Sequence, residues 1–264
     1  MPDLTSQGKL KLSVQTIAPA FGAYIIGDEI LSGKRQDAHL SAIIRALNSR
    51  GLALSWAHYM GDDFDEITRQ LQDSMGRGDI VFCFGGIGAT PDDFTRQAAA
   101  AAAGVPVERH AEAVAEIEAH FGDSAYPKRV LMAEFPRGAS LIPNPVNRVA
   151  GFAIKRHYFM PGFPQMAHPM MEWVLDTHYA HLLNRSDYAE SSILVMDAGE
   201  SRLIDLMQEI VSRFPAVKIF SLPKLDARRT IELGVKGASA EVEAAMLAIR
   251  DGVSAAGFPW EPLA

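Results

Sequence analysis

Cysteine is nearly missing from this chain: Cys83 is the only one in 264 residues. One thiol cannot close an internal disulfide or build a cysteine-rich zinc motif, and such usage suits a reducing compartment. Cys83 lies in the apolar run DIVFCF, where a buried, inert thiol is expected rather than a nucleophile. Long apolar runs are also missing. No stretch reaches the ~18 apolar residues of a membrane span, and the first 20 residues form a polar leader without a signal-peptide core. A cytoplasmic location is therefore expected. Basic charge is in deficit as well: 25 Lys and Arg against 32 Asp and Glu give a net charge of -7, which opposes generic attraction to nucleic acid or to an anionic membrane. A small phosphorylated ligand could bind only through a local site. The sequence has no G-x-S-x-G elbow and no H-x-x-x-H pair in the loops of its first part, so serine and zinc hydrolase chemistry have no foothold.

What is present is ordinary globular composition, 48% hydrophobic and 22% charged, with strand and helix patterns in alternation. FGAYIIG is a short apolar run suited to a buried strand. Asp37 then caps a helix carrying Leu40, Ile43, Ile44 and Leu47 on one face, stopped by Gly51. LALSWAHYM is a second strand, a helix with Phe64, Ile67, Leu71 and Met75 on one face follows, and DIVFCF is the third strand. The alanine run from Ala98 to Gly104 reads as a helix end packed tightly on a sheet. Further on come a helix with Val114, Ile117 and Phe121 inward, a strand pair over AGFAIKRHYFMPG, and a helix from about Pro164. Such alternation predicts a three-layer α/β/α domain with a mostly parallel sheet over 21–183, after a leader of 1–20. From 184 to 264 the order strand, helix, strand, strand, helix predicts a small α+β unit of split βαβ type.

Ligands of such parallel sheets bind beyond the carboxyl ends of the strands. Three polar loops fall there: GDEILSG, GDD and GGIGATPDD. In FGGIGATPDDFT, Gly85, Gly86 and Gly88 follow a buried strand and Pro91 stands where a helix would begin, a turn suited to phosphate through bare backbone N–H groups and a helix N-terminus. It is neither a Walker loop, lacking the lysine, nor a dinucleotide fingerprint, with Pro91 at the third glycine. The same residues also fit a plain strand-to-helix turn whose first-turn acids, Asp92 and Asp93, complement the helix dipole. If Asp62 and Asp93 did face a phosphate, each pair of charges about 4 Å apart would oppose binding by roughly 4 kcal/mol at an effective dielectric of 20. A divalent cation between them would remove that opposition. His39, next to Asp37, reads as a surface histidine.

Five segments, GDEILSGKRQDAHL, YMGDD, FGGIGATPDDFT, LIPNPVNRVAGF and MPGFP, occur in the order of the molybdopterin-binding domain of molybdenum cofactor biosynthesis proteins. They most resemble the competence/damage-inducible protein A type. The resemblance covers about residues 20–183, and the second unit resembles the region that follows in the same family. It implies a pocket for a pterin phosphate, molybdopterin among them, or for a nucleotide, bounded by Gly27, Asp28, Glu29, Gly33 and Asp37, by Gly85, Gly86, Gly88, Thr90 and Thr95, and by Asn144, Pro161, Gly162 and Pro164. It implies catalytic roles for Asp62 and Asp93, joined by Asp92, with the three aspartates positioning Mg²⁺, Mn²⁺ or Co²⁺. It also implies a homo-oligomer, a dimer or trimer, and metal-dependent cleavage of ADP-ribose-like or FAD-like diphosphates; a non-catalytic pterin-binding module and pterin adenylyl transfer are the alternatives. Three departures bear on this. Phe84 stands where threonine is usual, His39 where asparagine is usual, and Asp92 where the adenylyltransferases have arginine, the last favouring a pyrophosphatase. With the chain ending at Ala264, the amidohydrolase domain of the full-length family is not expected.

Overall fold

A computed structural model of the chain describes residues 20–182, 188–225 and 229–263. The expected leader, up to residue 19, and the expected boundary at 183 lie outside these residues. The chain forms two compact units, one of residues up to 45 with 53–174, the other of 46–52 with 175–264.

In chain order, the elements up to residue 178 are β1 (Phe21–Ile26), α1 (Asp28–Leu31), α2 (His39–Asn48), β2 (Leu54–Met60), α3 (Phe64–Arg77), β3 (Ile80–Phe84), α4 (Thr95–Ala103), β4 (Val107–Arg109), α5 (Ala111–Phe121), β5 (Glu134–Pro136), β6 (Ser140–Ile142), β7 (Gly151–Ile154), β8 (His157–Met160) and α6 (Pro164–His178). The main sheet runs β2-β1-β3-β8-β7-β6. Its first four strands are parallel, and β7 and β6 extend it antiparallel. β4 and β5 form a separate ribbon. The mostly parallel sheet expected from the alternating pattern is present, with an antiparallel edge added.

The side-chain period of 2 in β3 sends Val81 and Cys83 to one face and Phe82 and Phe84 to the other. Val81 and Cys83 join a core with Ile67 and Leu71 of α3, Ala98 and Ala99 of α4, and Ile117 of α5. On the opposite face, the Phe84 ring lies under His39 of α2, and a Cβ on Gly151 would meet Met170 of α6 at 2.8 Å. Helices therefore cover both faces, giving three layers. Alanine at three buried positions lets the α4 backbone approach closely, as its composition implied. Phe135, Phe152 and Phe159 stack in series at 4.8 and 4.5 Å. Truncating any of these buried rings to alanine would cost about 3–5 kcal/mol.

Several expectations need correction. Ile44 and Phe64 are exposed, because Ile43 with Leu47, and Ile67 with Leu71, already fill the i, i+4 stripes that face inward. Val114 and Phe121 do pack against the core with Ile117, as expected, though half-buried, and Ala113 joins them on that face. Pro91 does not begin a helix: residues 91–92 form an exposed turn and α4 starts at Thr95. Asp92 and Asp93 are therefore not first-turn acids. In contrast, Asp63 is the N-cap of α3, accepting from Glu66 N at 2.7 Å, and Asp37 closes the start of α2, accepting from His39 N at 2.8 Å and Leu40 N at 3.1 Å.

The second unit contains β9 (Tyr188–Met196), α7 (Ile204–Arg213), β10 (Lys218–Leu225), β11 (Arg229–Ala238), α8 (Ser239–Ala255) and β12 (Trp260–Leu263). Its sheet, β10-β11-β9-β12, is antiparallel throughout. This is the expected split βαβ arrangement, completed by β12, a strand that the alternation did not reveal. Ile193, Val195, Leu233 and Val235 meet Val242, Met246 and Ile249 of α8 and Ile210 of α7 in its own core.

Candidate active site

The four parallel strands end in register, and backbone bonds carry that register one residue further. Gly27 N donates to Met60 O at 3.0 Å, and Gly85 N to Met160 O at 3.0 Å. The loops after β1, β2, β3 and β8 therefore leave from one edge. Gly85 has φ +109, and a Cβ there would lie 2.1 Å from Ile26 O, so only glycine can hold these strand ends together. A Cβ on Gly162 would stand 3.4 Å from Gly85 Cα, which sets the MPGFP loop, with Pro161 and Pro164 on either side of Gly162, against the glycine turn. The Gly85 N–H is thus committed to the sheet and is not a phosphate donor, contrary to expectation.

The loops after β1 and β2 are locked by a reciprocal pair of bonds. Asp28 N donates to Asp62 Oδ2 at 2.9 Å, and Asp62 N donates to Asp28 Oδ1 at 3.2 Å. Between them, Gly61 leaves room for the Asp28 carboxylate, which would sit 2.5 Å from any added Cβ. An open cleft of about 630 Å³ is lined by Asp28, Glu29, Leu31, Ser32, Lys34, Asp62 and Asp92. Partial burial pushes the Asp62 carboxyl above its usual range, and the like charges of Asp28, Glu29 and Asp92 push the same way, against the bond from Asp28 N. Asp92 is fully exposed, and hydrogen bonding at Thr90 and its own backbone holds it below the ordinary range.

Gly86, at φ +67, lets Thr95 pack close against the turn. A Cβ there would fall 2.2 Å from Thr95 Oγ1 and 3.6 Å from Asp62 Oδ1, so the Thr95 hydroxyl takes up the room a side chain would need and Asp62 Oδ1 lies on the same side of Gly86. Thr95 is buried, and its hydroxyl has no hydrogen-bond partner. Buried polar groups are nearly always paired, so an orphan hydroxyl beside a carboxylate marks where a ligand group would be received.

Asp93 behaves otherwise. Its Oδ2 accepts from Thr90 N at 2.8 Å and Thr90 Oγ1 at 2.5 Å, and it fills the space where a Gly88 Cβ would be, 2.5 Å away. Its carboxylate shapes the loop from inside. Accordingly, among the described residues no three His, Cys, Asp or Glu side chains converge as a metal-holding group, and the expected trio of Asp62, Asp92 and Asp93 does not form. Two carboxylates with phosphate oxygens are nevertheless the usual complement for Mg²⁺, and hard carboxylate oxygens fit Mg²⁺ or Mn²⁺. Asp62 and Asp92 both line the cleft and are the carboxylates that could hold such a cation.

Other expected site residues have structural duties. Asp37 gives one oxygen to His39 N and the other to Leu40 N and to Tyr59 Oη at 2.8 Å. Gly33 is an exposed turn at φ +73 with nothing near its Cβ position. Asn144 is buried and bonded within its own turn, to Asn147 Oδ1, Val149 O and Val146 N, on a different cleft of about 510 Å³ shared with Glu112, Glu116 and Arg148. His39 is buried, not on the surface: it stacks on Phe84 at 4.6 Å, its Nε2 stands 3.4 Å from Gly162 O, and burial lowers its pKa. The two departures, at 39 and 84, therefore meet as a ring stack under the MPGFP loop. Sequence reasoning missed Arg96. It is buried, donating through Nη2 to Gly88 O at 2.6 Å and through Nη1 to the carbonyls of Leu131 and Glu134, so it pins the glycine turn. Its spacing three and four residues before the buried Ala99 and Ala100 is the signal that places it inward.

No helix among the described residues is long and apolar enough to cross a membrane. Residues 22–181 match the family described as probable molybdopterin binding domain. A CinA-like protein of Anaeromyxobacter dehalogenans is 35% identical over 157 residues, 56% of this chain and 38% of that protein. One from Desulforapulum autotrophicum is 30% identical over 205 residues, 73% of this chain and 48% of that protein, so the chain spans about half the length of such relatives or less. The crystal structure of the protein CinA from Thermoplasma acidophilum, itself of unknown function, aligns with a TM-score of 0.55 at 25% identity, covering 60% of this chain and 97% of that one. With the strand-end glycines, the paired Asp28 and Asp62 loops and these likenesses together, the chain belongs to the molybdopterin-binding domain family and is CinA-like in type.

Proposed function

We propose that the chain is a metal-dependent hydrolase of a nucleotide diphosphate linkage, of the kind found in ADP-ribose or FAD. The observation that carries this reading is that Asp62 Oδ1 and the unpartnered, buried Thr95 hydroxyl lie on the same side of Gly86. Thr95 Oγ1 would donate to a phosphate oxygen seated beside Gly86, where any side chain on Gly86 would collide with that hydroxyl. The reciprocal bonds to Asp28 fix the Asp62 carboxylate, whose Oδ1 accepts a hydrogen bond from the attacking water and keeps it in line with phosphorus. A divalent cation held by Asp62 and Asp92 would screen the phosphate from the surrounding acids. Asp93, through Thr90, keeps the loop in shape, and Arg96 anchors it from beneath.

A second reading, a module that binds a pterin phosphate such as molybdopterin without turning it over, is favoured by one feature: Asp93 faces its own loop rather than the cleft. One screen separates the two. ADP-ribose, FAD, NAD and CoA are incubated with Mg²⁺, Mn²⁺ and Co²⁺, before and after exhaustive chelation. Hydrolysis that requires the cation, and that drops roughly 10²- to 10⁴-fold in Asp62→Asn, supports the hydrolase. Turnover that survives chelation removes the cation from the reading; no turnover with any metal, together with co-purified pterin fluorescence, establishes the binding module instead.

A further inference from the structure

We infer that Phe163 is the seat of the nucleobase, so that the site takes a base-bearing diphosphate rather than a bare one; this rests on the diphosphate reading above. Phe163 follows Gly162 in the loop set against Gly85, which places it on the rim of the glycine turn, and it is 50% exposed. The Arg35 guanidinium lies over its ring, 5.5 Å from the centroid. Arg35 is itself held to Glu29, its side chain pairing with Glu29 Oε1 at 3.3 Å and its backbone N–H donating to Glu29 O at 2.9 Å. Glu29 lines the acidic cleft. One chain of contacts thus runs from the cleft wall through Glu29 and Arg35 to a half-exposed aromatic ring.

An aromatic ring held on one face by a guanidinium has its orientation set, and its remaining exposed surface is of the kind on which heterocyclic bases stack. Of the other exposed rings near this edge, Tyr59 has its hydroxyl tied to Asp37 in the second-strand wall, and Phe64 stands in the first turn of α3. Phosphate recognition at Gly86 and Thr95 is indifferent to what the diphosphate carries. Phe163 supplies what that seat lacks, a contact that exists only when a planar base is attached.

The test measures binding by calorimetry in Mg²⁺ at one fixed salt concentration, with two non-hydrolysable probes: α,β-methylene-ADP, which carries adenine, and methylenediphosphonate, which does not. In Phe163→Ala, affinity for α,β-methylene-ADP should fall about 5- to 100-fold, the range of one stacked base, while affinity for methylenediphosphonate stays at the wild-type value. Phe163→Trp should restore the first. An unchanged affinity for α,β-methylene-ADP in Phe163→Ala, or equal losses for both probes, overturns the assignment while leaving the diphosphate seat standing. If the wild-type chain binds neither probe, the diphosphate reading fails and this inference fails with it.

Discussion

At the scale of single residues, the two Asp-Asp pairs in the site divide their labour in the same way. Asp63 caps α3 while Asp62 faces the cleft, and Asp93 closes its loop while Asp92 faces the cleft. One acid of each pair stabilises its loop; the other is left among like charges. For Asp62 this has a consequence for stability. Its folded pKa is raised above 3.8, so above that pH the folded protein retains a proton that the unfolded chain has released. Stability from this group therefore falls as pH rises through the window from 3.8 to the raised value. Asp62→Asn removes the penalty and keeps an oxygen to accept from Asp28 N. Its Tm should equal or exceed the wild-type Tm at neutral pH, by up to about 3 °C. The gain should shrink toward pH 4 and shrink with added salt. Thermal melts across pH read this directly, and a Tm that falls by several degrees at neutral pH would show that the carboxylate is structural.

At the scale of elements, the glycines of the strand ends do unequal work. Gly85 combines φ +109 with a Cβ position 2.1 Å from Ile26 O, a backbone atom that cannot turn aside. Gly33 has φ +73 but open space around it. Gly85→Ala should therefore lower Tm by more than 10 °C or prevent folding, whereas Gly33→Ala carries only the strain of its dihedral, about 1 kcal/mol. Chemical denaturation of the two variants side by side measures the difference. The same comparison shows what the sequence made legible. β1, β3 and their glycine turns were visible because fully buried parallel strands are continuous apolar runs bounded by glycine. β4, β5 and β6 were not, since strands of three residues with partly exposed patterns have too few positions to display a period. Which loops meet was legible from topology. Where each carboxylate points was not, because Asp93 and Asp37 turn inward through local bonds to Thr90, His39 and Leu40 that spacing does not encode. His39 was misjudged because the stack that buries it depends on Phe84, distant in sequence.

At the scale of the whole molecule, two cores form separately. The parallel-sheet unit packs around Tyr24, Val81 and Phe152, the antiparallel unit around Val195, Leu233 and Met246. Every residue assigned here to phosphate, cation or base lies in the first. The last strand, β12, pairs with β9 through Trp260↔Val195 to Leu263↔Ser192 and covers one edge of the second sheet. Its proline and its length of four residues explain why no periodicity announced it. Removing residues 260–264 uncovers that edge, costs the pairing and removes the Trp260 indole, whose Nε1 donates to Ser254 Oγ at 2.9 Å. If the units are energetically independent, calorimetric melting of the truncated chain should move one transition down by about 5 °C or more, the shift that about 1 kcal/mol produces in a domain below ~100 residues. The other transition, and the affinity for α,β-methylene-ADP, should stay where they are. Loss of ligand affinity on truncation would mean that the first unit does not contain a complete site, and a single transition moving as a whole would mean that the two cores melt as one.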